Sequence, residues 1–587
     1  MQYPTLSELY TTRDTVDVFK GYNHNLRIGT GEFHDMKNLT SSHYPLLSPR
    51  GKRGTYAVPT NTCTGLIAKD TLCYVDGDKL IMDGYPVTDF TLSTEEDMCP
   101  KQLISMGAYI IVMPDKKYIN TMDTTDKGNI EAFFTTVSDV TFELSKADGE
   151  GYANTIVSST EPENPNNLDI WLDTSVTPNV LKQFSESSGM WVSIATTYIK
   201  ISSPGIGAAF KQYDGVTISG ITSPALQDLN NTMVLQACGD DYIIVIGILD
   251  ALITQTTEDG AITVKRQMPN LDYVIESGNR LWGCRYGTSV DGKVVNEIYA
   301  SKLGDFKNWN CFMGLSTDSY TASCGTDGQF TGAITHLGYP LFFKETCMHK
   351  VYGDYPANFQ IQAITCRGVE RGSQNSLAIV NETLYYKGRN GICAYDGSLP
   401  AEVSYQFGDA AYSEAVAGAH GNKYYVSMKG TDGLWNLFVY DAAYGMWHKE
   451  DSTHADAFCS CRNEMYYIDH DSGKIRTVFG SGTQDESPVE WMAETGVIGM
   501  EYPDRKYISR IVIRMSLVVG TVVKFYAEYD SSGEWEQVFT MQGKVLRSFA
   551  IPIRPKRCDH FRLRITGEGE SKVYSITKTL ETGSDYN

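Results

Sequence analysis

Six carboxylates, Asp272, Glu276, Asp318, Glu345, Glu382 and Asp396, fall in or beside turns between apolar runs. From such places a pair of acids could serve as proton donor and as nucleophile or base on a glycosidic bond. Among 71 acidic residues the spacing singles out no pair, and an acid at a hairpin turn is ordinarily a solvated turn former. Asp469-His-Asp-Ser-Gly473 alternates oxygen ligands before a glycine, as a calcium loop begins, but lacks the third acidic position and the distal bidentate Glu. A hairpin turn explains the same residues. The ten histidines are dispersed, with no H-E-x-x-H and no pair at ligand spacing on a helix, so a zinc site has little support. Gly205-Ile-Gly-Ala-Ala-Phe210 and Gly567-Glu-Gly-Glu-Ser-Lys572 miss the dinucleotide and phosphate-loop spacings and read as turns. The sequence therefore assigns no catalytic residue, no cofactor and no metal ligand.

The elements that carry these residues are strands. One phrase returns along the chain: an aromatic-rich apolar run, a Gly/Asn/Asp turn, then a second alternating run. Leu384-Tyr-Tyr-Lys-Gly-Arg-Asn-Gly-Ile-Cys-Ala-Tyr-Asp-Gly397, Tyr424-Tyr-Val-Ser-Met-Lys-Gly-Thr-Asp-Gly433 and Met465-Tyr-Tyr-Ile-Asp-His-Asp-Ser-Gly-Lys-Ile475 are the clearest copies. Looser ones begin near Leu72, Tyr109, Tyr242, Leu281 and Leu341, and the last spacings (341, 384, 424, 465) are 43, 40 and 41 residues. A repeat of roughly 40–50 residues with about four strands predicts propeller blades. The expected fold is all-β: a propeller of seven or eight blades with an inserted β-rich domain and a C-terminal β-sandwich.

The spacing also predicts boundaries. Residues 1–55, rich in turn formers, read as an extended arm that needs another surface. Residues 56–125 hold the first blades. The gap between Tyr109 and Tyr242, with alternating runs such as Val140–Leu144 and Trp191–Ala195, predicts a domain inserted at 126–220. Blades resume over 221–482. After the polar linker Gly480–Pro488, apolar and charged residues alternate in Tyr507–Arg514, Val522–Tyr529 and His560–Ile565, which predicts a sandwich over 488–587.

The formal charge is −21, from 50 Lys and Arg against 71 Asp and Glu, which argues against a surface that grips phosphates. Thirteen cysteines, an odd count without a C-x-x-C pair, suggest reduced thiols and cytoplasmic synthesis. The N-terminus shows neither a basic region nor an apolar one, and the most apolar run, Tyr242–Leu249, is far short of the roughly 20 residues of a membrane span. No signal peptide and no membrane anchor are expected.

Several stretches are familiar as a set. Phe19-Lys-Gly-Tyr-Asn23, Gly31, Met36-Lys-Asn-Leu39, Pro45 and Ser48-Pro-Arg-Gly51 resemble the opening of the tail-hub proteins of short-tailed bacteriophages, also called nozzle or packaged-DNA stabilisation proteins. Asn296–Trp309, a strand ending in a small-Gly-Asp-x-x-Asn-aromatic turn, resembles the same family, as do Phe330–Gly353 and Gly368–Gly397. The resemblance covers the arm and propeller, about four fifths of the chain counting the insert between the blades, while the insert itself and the C-terminal sandwich depart from the family's pattern.

That resemblance implies a structural virion protein located in the tail. It would form a homo-oligomeric ring, a hexamer in the family's pattern, between the tail adaptor and the tail fibre or tip proteins. DNA would pass through it without sequence-specific binding, and the expectation is a chain that is not an enzyme. Two other classes stay open. One is a glycan-cleaving propeller. The other is a receptor- or carbohydrate-binding module that uses Trp491, Tyr502, Tyr526 or Trp535 of the sandwich. Asp530-Ser-Ser-Gly-Glu-Trp535 is similar to the Asp-box turn of sialidase-type propellers, a pattern that stabilises a hairpin.

Overall fold

A computed structural model describes residues 11–289, 291–501, 505–543 and 546–582. The chain is all-β and forms two compact units, one of residues 1–94, 342–348 and 364–587, the other of residues 95–341 and 349–363. Seven four-stranded meanders of the propeller-blade type are found among the described residues of the two units: 63–91, 102–129, 273–323, 332–365, 378–402, 412–449, and 455–477 completed by Gly54–Ala57. Each is built from the hairpin phrase, whose turns are set by residues that tolerate positive φ, such as Asn279 and Gly278 in the 273–323 blade. A 3-10 turn, Glu96–Met98, precedes the strand Gln102–Met106.

In the first unit the 455–477 blade draws its fourth strand from the other end of the chain, with Gly54 opposite Thr477 and Thr55 opposite Arg476. Pairing early with late strands removes an exposed sheet edge. The expectation of an extended arm at 1–55 is corrected here for residues 11–55, whose strands are paired within the sheets of this unit. Thr11–Val16 pairs with 576–581, Tyr22 pairs with Trp447, and Glu32–Lys37 pairs with Glu490–Thr495. Phe19, Tyr22, Phe33, Met36, Leu39 and Leu47 are buried in one core with Phe407, Trp447 and Trp491. Burying such a side chain stabilises by about 1.5–3 kcal/mol, so the segment contributes to the core that the arm reading denied it. Residues 1–10 of that reading lie outside the described residues.

The C-terminal sandwich has two sheets. One runs Thr11–Val16, Ser571–Thr582, Lys506–Leu517, Leu546–Ile551. The other runs Glu32–Lys37, Glu490–Thr495, Phe561–Glu568, Val522–Tyr529, Glu536–Gln542, and through Gly21–Tyr22 it continues into the 412–449 blade as one ten-stranded sheet. Alternation places Ile511, Ile513 and Met515 in the core and Arg510 and Arg514 outside. The sandwich thus needs two strands from the N-terminus.

In the second unit the insert is larger than the expected 126–220. Its strands run from Ala132–Thr135 to Thr263–Arg266, in a four-stranded sheet and a five-stranded sheet enclosing Phe142, Ile199, Ile201, Val216, Ile218, Ile243, Val245 and Val264. Tyr242–Ile246, expected to begin a blade, pairs with Tyr198–Ser202 inside the insert. The hairpin phrase is the same in a sandwich as in a blade, so its period could not tell them apart. A third small sheet, 155–193, has its own cluster of Ile170, Leu172 and Leu181.

Candidate functional site

Five of the six turn carboxylates accept backbone N–H groups. Glu276 accepts the Asn279 N–H at 2.9 Å, and Asp396 accepts the Ser398 N–H at 3.0 Å and its hydroxyl at 2.6 Å. Buried Asp318 accepts from Met313 N–H and, at 3.1 Å, from Leu315 N–H, organising its loop. Exposed Glu345 accepts the Arg371 N–H at 3.5 Å, and Glu382 is an exposed turn residue at φ 66°. Asp272 differs. Its carboxyl accepts the Tyr286 N–H at 2.8 Å, and loss of water around it raises its pKa, against the opposing pull of that N–H and of Arg285. A carboxyl raised in this way is the kind that holds a proton for donation.

The other motifs resolve into structure. Asp469–Gly473 is a turn in which Gly473 N–H donates to Asp469 O at 2.8 Å and the Ser472 hydroxyl donates to the Asp469 carboxylate. A Cβ on Gly207 would lie 2.0 Å from the Gly239 carbonyl oxygen, and one on Gly567 would lie 2.3 Å from the Trp491 ring. These glycines allow close packing and do not cradle a phosphate.

On the sandwich, Trp491 is 2% exposed and Tyr502 lies outside the described residues. Tyr526 and Trp535 are half-buried. The Trp535 ring faces the Arg564 guanidinium at 3.9 Å and the Arg562 guanidinium at 5.5 Å. Behind it, Arg562 bridges two buried carboxylates, at 2.8 Å from Glu494 and 2.5 Å from Glu528, and Arg564 meets Glu494 at 2.6 Å. An indole face covered by a guanidinium is stabilised by about 0.5–2 kcal/mol, and that face is taken.

Two of the stretches that carry the sequence resemblance, Phe19–Gly51 and Asn296–Trp309, contain residues that stand at joints. Arg50 meets Glu486 at 2.7 Å and Asp451 at 3.2 Å, while Arg53 meets Glu450 at 2.6 Å and Asp451 at 2.8 Å. In the second unit, the Asn308 amide donates to Asp305 at 2.8 Å and to Asp214 at 2.9 Å and accepts the Gly215 N–H at 2.8 Å, tying the blade turn to the insert. Trp309 beside it is fully buried. A short run before an aromatic thus acts as a fastener, which the turn pattern alone did not reveal.

All thirteen cysteines are free thiols. Burial pushes Cys63 up to about 12 and Cys393 up to about 11, so they behave as core residues and not as nucleophiles. No helix among the described residues is long and apolar enough to cross a membrane.

No family model and no curated protein matches the chain. Solved structures similar to it include an exo-β-1,3-galactanase from Phanerochaete chrysosporium, at 10% identity over 52% of this chain and 94% of that one, with a TM-score of 0.21. A GH43 glycoside hydrolase engineered for endo-xylanase and exo-arabinofuranosidase activity is similar at 9% identity over 53% and 96%, with a TM-score of 0.20. The sialidase of Trypanosoma rangeli is similar at 9% identity over 90% and 95%, with a TM-score of 0.21. The expectation of a chain that is not an enzyme is corrected by these neighbours, glycoside hydrolases among them, and is not carried further.

Proposed function

We propose that this β-propeller chain is a subunit of a phage tail hub, assembling with copies of itself into a ring between the tail adaptor and the distal tail proteins. The observation that supports the reading is the coincidence of resemblance and joints. Phe19, Tyr22, Met36, Leu39 and Arg50 fasten blade to sandwich, and Asn308 fastens blade to insert. A part that carries load through a particle needs its modules welded in this way. The charge of −21 suits a wall past which DNA slides, since carboxylates do not displace phosphate counterions. Electron images of the purified protein and of the particle test the proposal. A closed ring at the tail supports it, and a chain absent from any particle overturns it. Duplex DNA should bind the ring weakly with little salt dependence, whereas a steep salt slope would contradict the sliding wall.

A second reading, a glycan-cleaving propeller, is favoured by one observation, the raised Asp272 carboxyl. Release of reducing sugar from a polysaccharide, lost in Asp272→Asn with the fold intact, would establish it. Equal release by both proteins would remove Asp272 from the chemistry.

A further inference from the structure

Spacing along the chain does not join His454 and His470, but the hairpin does. Ala455 is opposite Asp469 in the antiparallel pair, and His470 N–H donates to His454 O at 3.0 Å, so the two histidines face each other across the strands. Side chains two apart on a strand share a face, which brings Asp456 to the same place. His470 Nδ1 lies 2.9 Å from Asp456 Oδ1, and His454 Nε2 lies 4.0 Å from the same oxygen. One ligand atom from each of the three residues lies within 4.8 Å of the others. The imidazole rings are 3.9 Å apart, and the indole of Trp435 stacks on His454 at 3.8 Å and 12°.

We propose that His454, Asp456 and His470 form a binding site for a divalent transition-metal ion, of which Zn²⁺ is the type. Two imidazoles and a carboxylate are a donor set that suits zinc. A tetrahedral ion with bonds of about 2.0–2.1 Å sets its ligand atoms about 3.3 Å apart. The observed 2.9 and 4.0 Å lie on either side of that spacing, so side-chain rotation suffices. The ion would take the place of the hydrogen bond between His470 and Asp456.

Neighbouring charge and packing agree. Asp471 and Glu414 act on His454 through their charge and add negative potential for a cation. Glu414 is itself paired with Lys429 at 2.9 Å. His454 is held by the Trp435 stack and is 18% exposed, whereas His470 and Asp456 are 54% and 42% exposed. The site therefore has one anchored ligand, two ligands free to adjust, and a fourth position open to water, the pattern of three protein ligands with an exchangeable one.

The test uses the full chain, stripped by a chelator and titrated with Zn²⁺ by calorimetry, with Cu²⁺ quenching of tryptophan emission as a second readout. The expected result is uptake of zinc by the wild type, weakened at least about tenfold in His470→Ala and in Asp456→Asn. The Cu²⁺ quench should shrink in Trp435→Phe. Variants are compared only where their metal-free thermal midpoints match the wild type. Zinc uptake equal in the wild type and in a His454→Ala/His470→Ala double variant would assign the ion to other groups and overturn the proposal. Absence of uptake in the wild type would overturn it as well.

Discussion

Arg53 Nη2 lies 2.6 Å from Glu450 Oε2, with the two side chains 3% and 5% exposed. The pair joins a residue near the N-terminus to the connection between the last two blades. Removing one partner of a buried ion pair leaves an uncompensated charge and costs about 3–5 kcal/mol. Arg53→Met should therefore lower stability by that amount in urea or thermal unfolding. A change under about 1 kcal/mol would show that Arg50, 3.7 Å from Glu450, compensates the charge that Arg53 leaves.

The same knot sets an acid limit. Burial raises the Asp451 pKa, but Arg53, Arg50 and the Thr453 hydrogen bonds outweigh it and hold the group at about 2. A carboxylate lowered in the folded state adds stability above its unfolded pKa of about 4, and that stability is lost as pH falls towards the folded value. The wild type should lose stability between about pH 4 and pH 2. Asp451→Asn should be less stable at neutral pH and flatter across that window, as followed by circular dichroism.

His448 acts at higher pH. Burial, with repulsion from Lys423, lowers it to about 3. The unfolded state binds its proton first, so stability falls as pH drops below about 6.5, by up to about 1.4 kcal/mol per unit. Urea midpoints measured from about pH 7 to pH 5 should show this slope in the wild type and a shallower one in His448→Gln. Equal slopes would mean that another group titrates.

Gly21 is at φ +86°, and a Cβ there would lie 2.3 Å from the carbonyl oxygen of Trp447. Gly21→Ala should destabilise by about 2 kcal/mol or more, from backbone strain and a clash with a paired strand. A neutral result would indicate that Gly21–Tyr22 does not lie against the 412–449 blade.

Amide exchange gives a direct reading of the N-terminal segment. Glu32–Lys37 is an inner strand of the ten-stranded sheet, so its amides should be protected in the isolated chain and should not await an oligomer. Rapid exchange there would restore the picture of an arm that orders on a neighbour.

The hairpins and their strand alternation were legible in the sequence because both are local. A Gly/Asn/Asp turn and a period of two depend on residues within about ten positions of one another. Thus the 378–402, 412–449 and 455–477 blades and the alternating strand Lys506–Leu517 could be read from the chain alone. Composition likewise determined the negative charge.

Only the tertiary structure decided which sheet each strand joins. Tyr22 opposite Trp447, Thr11 opposite Glu581 and Gly54 opposite Thr477 leave no local mark, because such pairings are selected by burial of a shared core. The same holds for Tyr242–Ile246, whose apolar run fits a blade or an inserted sandwich equally. His454 and His470 became neighbours only when a strand register placed them opposite each other. Residue types and spacing set what each segment could form, and long-range packing chose among those forms because only a closed core repays the entropy of joining distant chain ends.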